Sequence, residues 1–308
     1  MALLFFSEGD DPVMWREALL KHAPDLDFRE VDTMGDAAEI ETALVWRPPA
    51  GLLAKLPNLK AIFSLAAGVD ALLADTSLPP VPICRMVDPS LTTTMTEYVL
   101  LGTLRYLREF DIFEALAKEG KWEWRMPPAP HERKVGMMGL GVLGTDAALA
   151  LQRHGFEVSA WSRTPKSLAG IVCHSGADGL DPFLADLDIL VCLLPLTAET
   201  RGILDAELFA KLKPGCRLIN VARGPHLVDD DLLAALEKGQ IAHATLDVFH
   251  KEPLPADHPF WRHPKITVTP HIASNGRPET AAKTVVENME RLARGEPLAN
   301  VVDFDRGY

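Results

Sequence analysis

A chain of 308 residues is long enough for two domains, each with a core of its own. Its 47% hydrophobic and 24% charged residues exclude a disordered or fibrous protein. With 31 Lys and Arg against 43 Asp and Glu, a formal net charge of -12, a general affinity for nucleic acid or anionic membranes is also excluded, so any anionic ligand must be held by local donors.

The run Met1–Glu8 is apolar with no basic leader, which predicts a buried strand and not a secretory signal. Short apolar runs then alternate with helical stretches: Leu3–Phe6, Val13–Lys21, Phe28–Val31, Ala43–Trp46, Ala61–Leu65 and Ile83–Val87. That rhythm predicts a first, small parallel α/β lobe. The apolar period from about 92 to 119 (Met95, Val99, Leu100, Leu104, Leu107, Phe113) predicts one long helix. Trp122–Pro130 cannot continue it, because proline lacks the amide donor and disfavours the helical conformation before it. The tryptophans of this loop either meet a second subunit or fold back onto their own lobe.

A second lobe begins with Lys134–Gly139 as a strand and continues through Phe156–Trp161, Asp188–Leu194, Cys216–Asn220, Ala242–Asp247 and Ile266–Val268. Six strands with helical patterns between them suit a dinucleotide-binding sheet. Pro278–Arg294 reads as a final amphipathic helix that returns to the first lobe. The expected domains are therefore 1–95 with 278–308, discontinuous, and 96–277. A cleft between two lobes follows as an expectation. No stretch reaches the roughly 18 apolar residues of a membrane span. Cys84, Cys173, Cys192 and Cys216 are scattered with no C-x-x-C pair, which predicts neither a zinc site nor disulfides and points to a cytoplasmic protein.

The turn Gly139-Leu140-Gly141-Val142-Leu143-Gly144 stands between a strand and a helix. In that context Gly139 permits the tight turn, Gly141 lets a pyrophosphate approach the backbone, and Gly144 lets helix and strand pack closely. The helix amides then face the phosphates. About 20 residues on, where an acid usually reads the ribose, stands Trp161-Ser162-Arg163-Thr164. No carboxylate there repels a 2′-phosphate, while Ser162, Arg163 and Thr164 can donate to one, so NADPH is favoured over NADH. The alternative is that Arg163 is a solvated strand-end residue.

Two later segments carry groups suited to chemistry. Ile219–Gly224 is a strand ending in Arg223 at the carboxyl edge of the sheet, where its planar fork suits a carboxylate or an adjacent carbonyl oxygen, although on position alone an exposed ion-pair partner is the better reading. His271 follows a strand end and Pro270. A histidine can donate a proton near neutral pH, and a neighbouring carboxylate such as Glu252 favours its charged form. With ten histidines in the chain, position alone does not make His271 catalytic.

These motifs together resemble the D-isomer-specific 2-hydroxyacid dehydrogenases over nearly the whole chain, and within them the branch of glyoxylate/hydroxypyruvate reductases. The resemblance rests on Leu65–Asp70, Gly139–Gly144, Leu193–Thr197, Asn220–Gly224, Leu246–Pro253 and Thr269–His271, in that order. It implies a Rossmann dinucleotide-binding domain inserted in a smaller flavodoxin-like α/β substrate-binding domain. It also implies Arg223, Glu252 and His271 as the catalytic trio, Asp247 near the nicotinamide amide, and Leu194 and Pro195 covering the cofactor. The amides of Ala67, Gly68 and Val69 would meet the substrate carboxylate, which suits the start of the helix expected at Val69–Leu73. Trp46, in Val45–Pro49, lines either the substrate pocket or the first lobe's core.

The implied reaction is NAD(P)H-dependent reduction of glyoxylate or hydroxypyruvate, with Arg223 on the carboxylate and carbonyl and His271 as acid. A homodimer with no nucleic acid, membrane or metal partner is the expected assembly. Two other classes use similar folds. An NAD(H)-sensing binding protein would leave the trio idle, and a methyltransferase would leave Arg223 and His271 without a role.

Overall fold

A computed structural model describes residues 1–304; residues 305–308, the end of the expected second segment of the first domain, lie outside them. The chain separates into two compact units, one of residues 1–91 with the chain from Asn275 onward and one of residues 92–274.

In the first unit, strands β1 (Ala2–Ser7), β2 (Asp27–Glu30), β3 (Ile40–Trp46), β4 (Ala61–Ser64) and β5 (Ile83–Cys84) form a parallel sheet in the order β2-β1-β3-β4-β5. Helix α1 (Pro12–His22) starts where the Asp11 carboxylate accepts the Val13 amide at 2.9 Å, with Pro12 at a position whose missing donor costs nothing. The short helix α2 (Asp70–Leu73) follows β4. Leu4, Ala43, Val45, Ile62 and Ile83 fill one core of this unit. Near the chain's end the Val302 amide donates to the Ile83 carbonyl at 2.8 Å and extends the edge at β5.

The second unit holds most of helix α3 (Pro89–Leu107), then helix α4 (Phe110–Lys118), where one helix was expected. The break is at Glu109, which takes a left-handed conformation, φ 55°, with its carboxylate 2.9 Å from Arg125 Nε. Neither glycine nor proline marks the break in the sequence.

Seven strands follow where six were expected: β6 (Lys134–Met138), β7 (Glu157–Ser162), β8 (Val172–Ser175), β9 (Ile189–Cys192), β10 (Cys216–Asn220), β11 (Ile241–Leu246) and β12 (Ile266–Val268). The unforeseen β8 is an edge strand of four residues with an exposed Val172, so it has little apolar signal. The strands are parallel, in the order β12-β11-β10-β9-β6-β7-β8. Helices α5 (Val142–Arg153), α6 (Leu180–Leu184), α7 (Ala206–Lys211) and α8 (Asp229–Glu237) lie between them in sequence.

Alternation along the strands fills two separate cores. Met138, Leu190 and Leu218 point into one cluster, and their neighbours Met137, Val191 and Ile219 into the other. Burial of each such side chain contributes about 2 kcal/mol. The order of the strands reverses between β6 and β9, and the crevice at the carboxyl ends of two such strands is where ligands of open α/β sheets bind. In the last helix, α9 (Pro278–Ala293), Ala281, Ala282, Val285, Val286 and Met289 are buried at helical spacing, and α9 packs on α1 within the first unit.

Candidate active site

The glycine turn leaves β6 at the point of reversal. Gly139 has φ 109°, and a Cβ on it would stand 2.6 Å from the Leu193 carbonyl oxygen, so neither its conformation nor its space admits a side chain. A Cβ on Gly144 would lie 2.0 Å from the Gly139 carbonyl oxygen. At Gly141 a Cβ would meet nothing within 4 Å, which makes its exposed face open to a ligand. No side chain caps α5 at Gly141, and the exposed Val142 and half-buried Leu143 begin the helix with amides oriented as a phosphate requires. The turn fits a pyrophosphate.

The loop after β9 packs beside this turn. The Leu193 amide donates to the Met138 carbonyl at 2.8 Å, Leu194 is buried, and Pro195 is half-buried. At the end of β7, Ser162 is buried and its hydroxyl donates to the Thr164 carbonyl at 2.8 Å. Its one proton is therefore engaged within the loop, while Arg163 and Thr164 are exposed.

Three further loops leave the carboxyl ends of β10, β11 and β12. Half-buried Arg223 follows β10, with its Nη1 donating to the Ala222 carbonyl at 2.8 Å. A Cβ on Gly224 would lie 1.9 Å from the Phe249 carbonyl carbon, so a residue without a side chain lets this loop press against the next one. In that next loop the Phe249 amide donates to Glu252 Oε1 at 3.0 Å, and Glu252 Oε2 lies 2.8 Å from His271 Nδ1. Glu252 thereby joins two loops and turns His271 Nε2 away from itself.

His271 adopts φ 54°, a left-handed conformation that costs on the order of 1 kcal/mol. Asp247 compensates. The His271 amide donates to the Asp247 carbonyl at 2.9 Å, the Ile272 amide to Oδ1 at 2.9 Å and the Ala273 amide to Oδ2 at 2.8 Å. Thr269 Oγ1 also donates to Oδ1 at 2.6 Å, and the Tyr98 hydroxyl of α3 lies 2.5 Å from Thr269 Oγ1. Burial pushes the Asp247 carboxyl upward against the opposing pull of these donors. Expected beside a nicotinamide amide, Asp247 is only 1% exposed, and in this geometry it organises the His271 loop.

These contacts identify the residues that sequence reasoning missed. Tyr98 supports Asp247 through Thr269, a residue of the Thr269–His271 motif, and His226 lies beside Arg223, its Nδ1 accepting the Arg223 amide at 3.1 Å. Only the short spacing of His226 from Arg223 offered a signal. Among the described residues no group of His, Cys, Asp and Glu is arranged to hold a metal ion. Among them, too, no helix is long and apolar enough to cross a membrane.

On the first unit, Trp46 ends β3 half-buried with the Arg47 guanidinium 5.3 Å from its ring, outside the buried core. Ala67, Gly68 and buried Val69 follow the adjacent strand β4, so they share a sheet edge with Trp46. Val69 sits just before α2, which the structure confines to Asp70–Leu73.

Residues 100–273 match the profile of the D-isomer specific 2-hydroxyacid dehydrogenase NAD binding domain. The chain belongs to the D-isomer-specific 2-hydroxyacid dehydrogenase family. Full-length relatives agree: it is 43% identical to glyoxylate/hydroxypyruvate reductase A of Serratia proteamaculans, with all of both chains covered. The same enzyme of Photorhabdus laumondii is 41% identical over the whole of both. A family member from Xanthobacter autotrophicus Py2, solved with NADPH and MES, superposes with a TM-score of 0.97 at 48% identity, covering 100% of this chain and 99% of that one. The NADPH-dependent glyoxylate/hydroxypyruvate reductase of Sinorhizobium meliloti, solved with NADP and sulfate, gives 0.94 at 38% identity, with 100% and 99% covered. Family and fold class are those the sequence motifs implied.

Proposed function

We propose that this protein reduces a small 2-oxo acid, glyoxylate or hydroxypyruvate, to the 2-hydroxy acid with NADPH, and with NADH less well. The observation that carries this reading is the Glu252–His271 pair, 2.8 Å apart on loops at the same sheet edge as Arg223. Reduction of a carbonyl needs an electrophilic partner for the oxygen and a proton source, and these residue types supply both.

Arg223 binds the carboxylate and carbonyl oxygens of the substrate through its guanidinium fork, and the growing charge on the carbonyl oxygen strengthens that bond. Reduced nicotinamide, when bound, supplies the hydride. His271 gives the proton from Nε2, the atom left outward by the bond from Nδ1 to Glu252. The Glu252 carboxylate fixes the ring and stabilises its charge while both nitrogens carry protons.

The amides of Val142, Leu143 and Gly144 begin the helix that faces the pyrophosphate, with Gly139 and Gly141 shaping its approach. Leu194 and Pro195 cover the nucleotide. Arg163, with Thr164, would read the 2′-phosphate, while buried Ser162 holds their loop through its bond to the Thr164 carbonyl, and Asp247 would act toward the nicotinamide through the His271 loop that it holds. On the first unit, the amides of Ala67, Gly68 and Val69 serve the substrate carboxylate, with Trp46 at the same sheet edge.

Two copies pair through exposed apolar side chains of α3, α4 and the loop after them, Leu101, Phe110, Trp122, Trp124 and Met126, exposed by 67%, 53%, 100%, 76% and 74%. Leaving two tryptophans so open to water is unfavourable, and a second copy removes that cost. The reducing cytoplasm suits four cysteines that form no disulfide among the described residues.

The test is a panel of 2-oxo acids assayed in parallel with NADPH and NADH. Oxidation of NADPH by glyoxylate and hydroxypyruvate, at lower KM for NADPH than for NADH, is the expected result. An absence of turnover with every 2-oxo acid overturns the reading.

A further inference from the structure

We propose that His226 is a positioning residue that ties Arg223 to the loop over the nucleotide, so that carboxylate binding and nucleotide binding are set by one buried imidazole. This inference rests on the function proposed above and deepens it.

His226 is wholly buried, three residues past Arg223 in the short turn Gly224–His226. The Arg223 amide donates to its Nδ1 at 3.1 Å, and its Nε2 lies 3.2 Å from the Pro195 carbonyl oxygen. An amide can only donate and a carbonyl can only accept, so both bonds form together in one state of the ring: neutral, with the proton on Nε2. The Arg223 carbonyl also lies 3.1 Å from Nδ1, a bond available to a ring protonated at that nitrogen. The donor demand of the Arg223 amide selects the other form.

Each end of this bridge is anchored. Pro195 O also accepts the Thr200 hydroxyl at 2.7 Å, and Thr200 Oγ1 accepts the Thr197 amide at 2.9 Å, which closes the Pro195 turn on itself. At the other end, the Arg223 guanidinium bonds to the neighbouring carbonyl of Ala222, so the head of the side chain follows its own backbone. Main-chain bonds run alongside, from the Gly202 amide to Pro225 O and from the Leu204 amide to His226 O, each 2.8 Å. Those bonds persist whatever side chain stands at 226. To a framework already paired the imidazole adds a bridge that sets the height of the Arg223 amide against the Pro195 carbonyl.

A hydrophobic residue of similar volume would fill the same space, so packing alone does not call for histidine. The two ring nitrogens can also be removed separately. His226→Asn keeps an acceptor near the place of Nδ1 and loses the donor to Pro195. His226→Gln keeps a donor near the place of Nε2 and loses the acceptor for Arg223, and His226→Leu loses both.

For each variant, kcat and KM for the 2-oxo acid are measured at saturating NADPH, the NADPH dissociation constant by direct fluorescence titration without substrate, and stability by urea unfolding. H226N is expected to weaken NADPH binding about fivefold with substrate KM nearly unchanged, and H226Q to raise substrate KM about fivefold with NADPH binding nearly unchanged. H226L shows both losses while it unfolds cooperatively. Equal losses in both constants for H226N and H226Q, or no loss in any variant, overturn the inference and reduce His226 to packing. If the wild-type protein turns over no 2-oxo acid, the proposed function fails by itself. The NADPH titrations still decide on His226, because weakening in H226N without weakening in H226Q supports it and any other pattern overturns it.

Discussion

Glu252 Oε2 stands 2.8 Å from His271 Nδ1 while Glu252 Oε1 takes the Phe249 amide at 3.0 Å, so one carboxylate holds both the orientation and the loop of the proposed acid. Glu252→Gln keeps the size and a single acceptor oxygen, enough for only one of the two donors, turns an N–H toward the other, and removes the charge. It is expected to lower kcat on the order of 10²-fold. NADPH affinity by titration stays at the wild-type value, since the Glu252 carboxylate bonds to the Phe249 amide and to His271. Adding His271→Ala to Glu252→Gln costs little beyond His271→Ala alone, because the two act as a unit. Multiplying losses in the double variant would show that Glu252 works independently of His271.

Arg223 is expected to depend on its fork. Arg223→Lys keeps the charge and removes the paired donors, one of which lies on Ala222 O. Steady-state kinetics should show kcat/KM for glyoxylate reduced on the order of 10²-fold, with both KM and kcat contributing. A lysine variant with wild-type constants would mean that charge alone suffices.

The readable parts of this site were those written into residue type. The turn Gly139–Gly144 was legible because a left-handed φ at Gly139 and a 2.0 Å approach at Gly144 admit little besides glycine. Arg223, Glu252 and His271 were ambiguous one by one and became legible only as an ordered set matching a family. Tyr98 and His226 stayed hidden because their partners, Thr269 and Pro195, are 171 and 31 residues away, a distance that no local pattern spans. The break at Glu109 was hidden differently: apolar spacing continues through it, no glycine or proline marks it, and the carboxylate's partner, Arg125, is sixteen residues on. Strand β8 escaped because an edge strand with a half-exposed face lacks the apolar run that marked the central strands.

Choice between the two nucleotides is expected to rest on Arg163. Ser162, which shared that role in the sequence reading, is buried with its hydroxyl proton on the Thr164 carbonyl, whereas Arg163 is exposed at the strand end. Arg163→Ala should raise KM for NADPH about tenfold and leave KM for NADH within a factor of about two. Parallel titrations with both nucleotides measure this directly, and equal changes for both would remove Arg163 from recognition of the 2′-phosphate.

The exposed apolar side chains of the second unit predict the assembly. Trp122 and Trp124 are the two most exposed large apolar side chains of the described residues, and Met126 and Leu101 come next. Replacing both tryptophans by serine takes away much of the area that a partner would cover, at about 25 cal/mol per Å². In sedimentation velocity the wild-type chain should run as a dimer and the double variant as a monomer at micromolar concentration. A wild-type chain that remains monomeric throughout that range would exclude this face as a dimer contact.

A pH dependence follows from His243, a buried residue on β11 whose Nδ1 lies 3.1 Å from the Tyr106 hydroxyl. Burial, aided by the charges of Arg105 and Arg217 and opposed by Asp111, lowers its pKa from 6.5 to about 4. Between those values the folded protein keeps the ring neutral and the unfolded chain takes up a proton, so acid favours unfolding. The stability that His243 confers is fully present above pH 6.5 and is lost as pH falls toward 4, where its contribution levels off. At about 1.4 kcal/mol per pKa unit the whole loss is roughly 3 kcal/mol. His243→Asn keeps an acceptor for Tyr106 and cannot titrate. Urea unfolding at several pH values between 7 and 4 should therefore give a variant less stable at neutral pH but with a flatter decline on acidification. Parallel declines for variant and wild type would place the acid sensitivity of this domain in other groups.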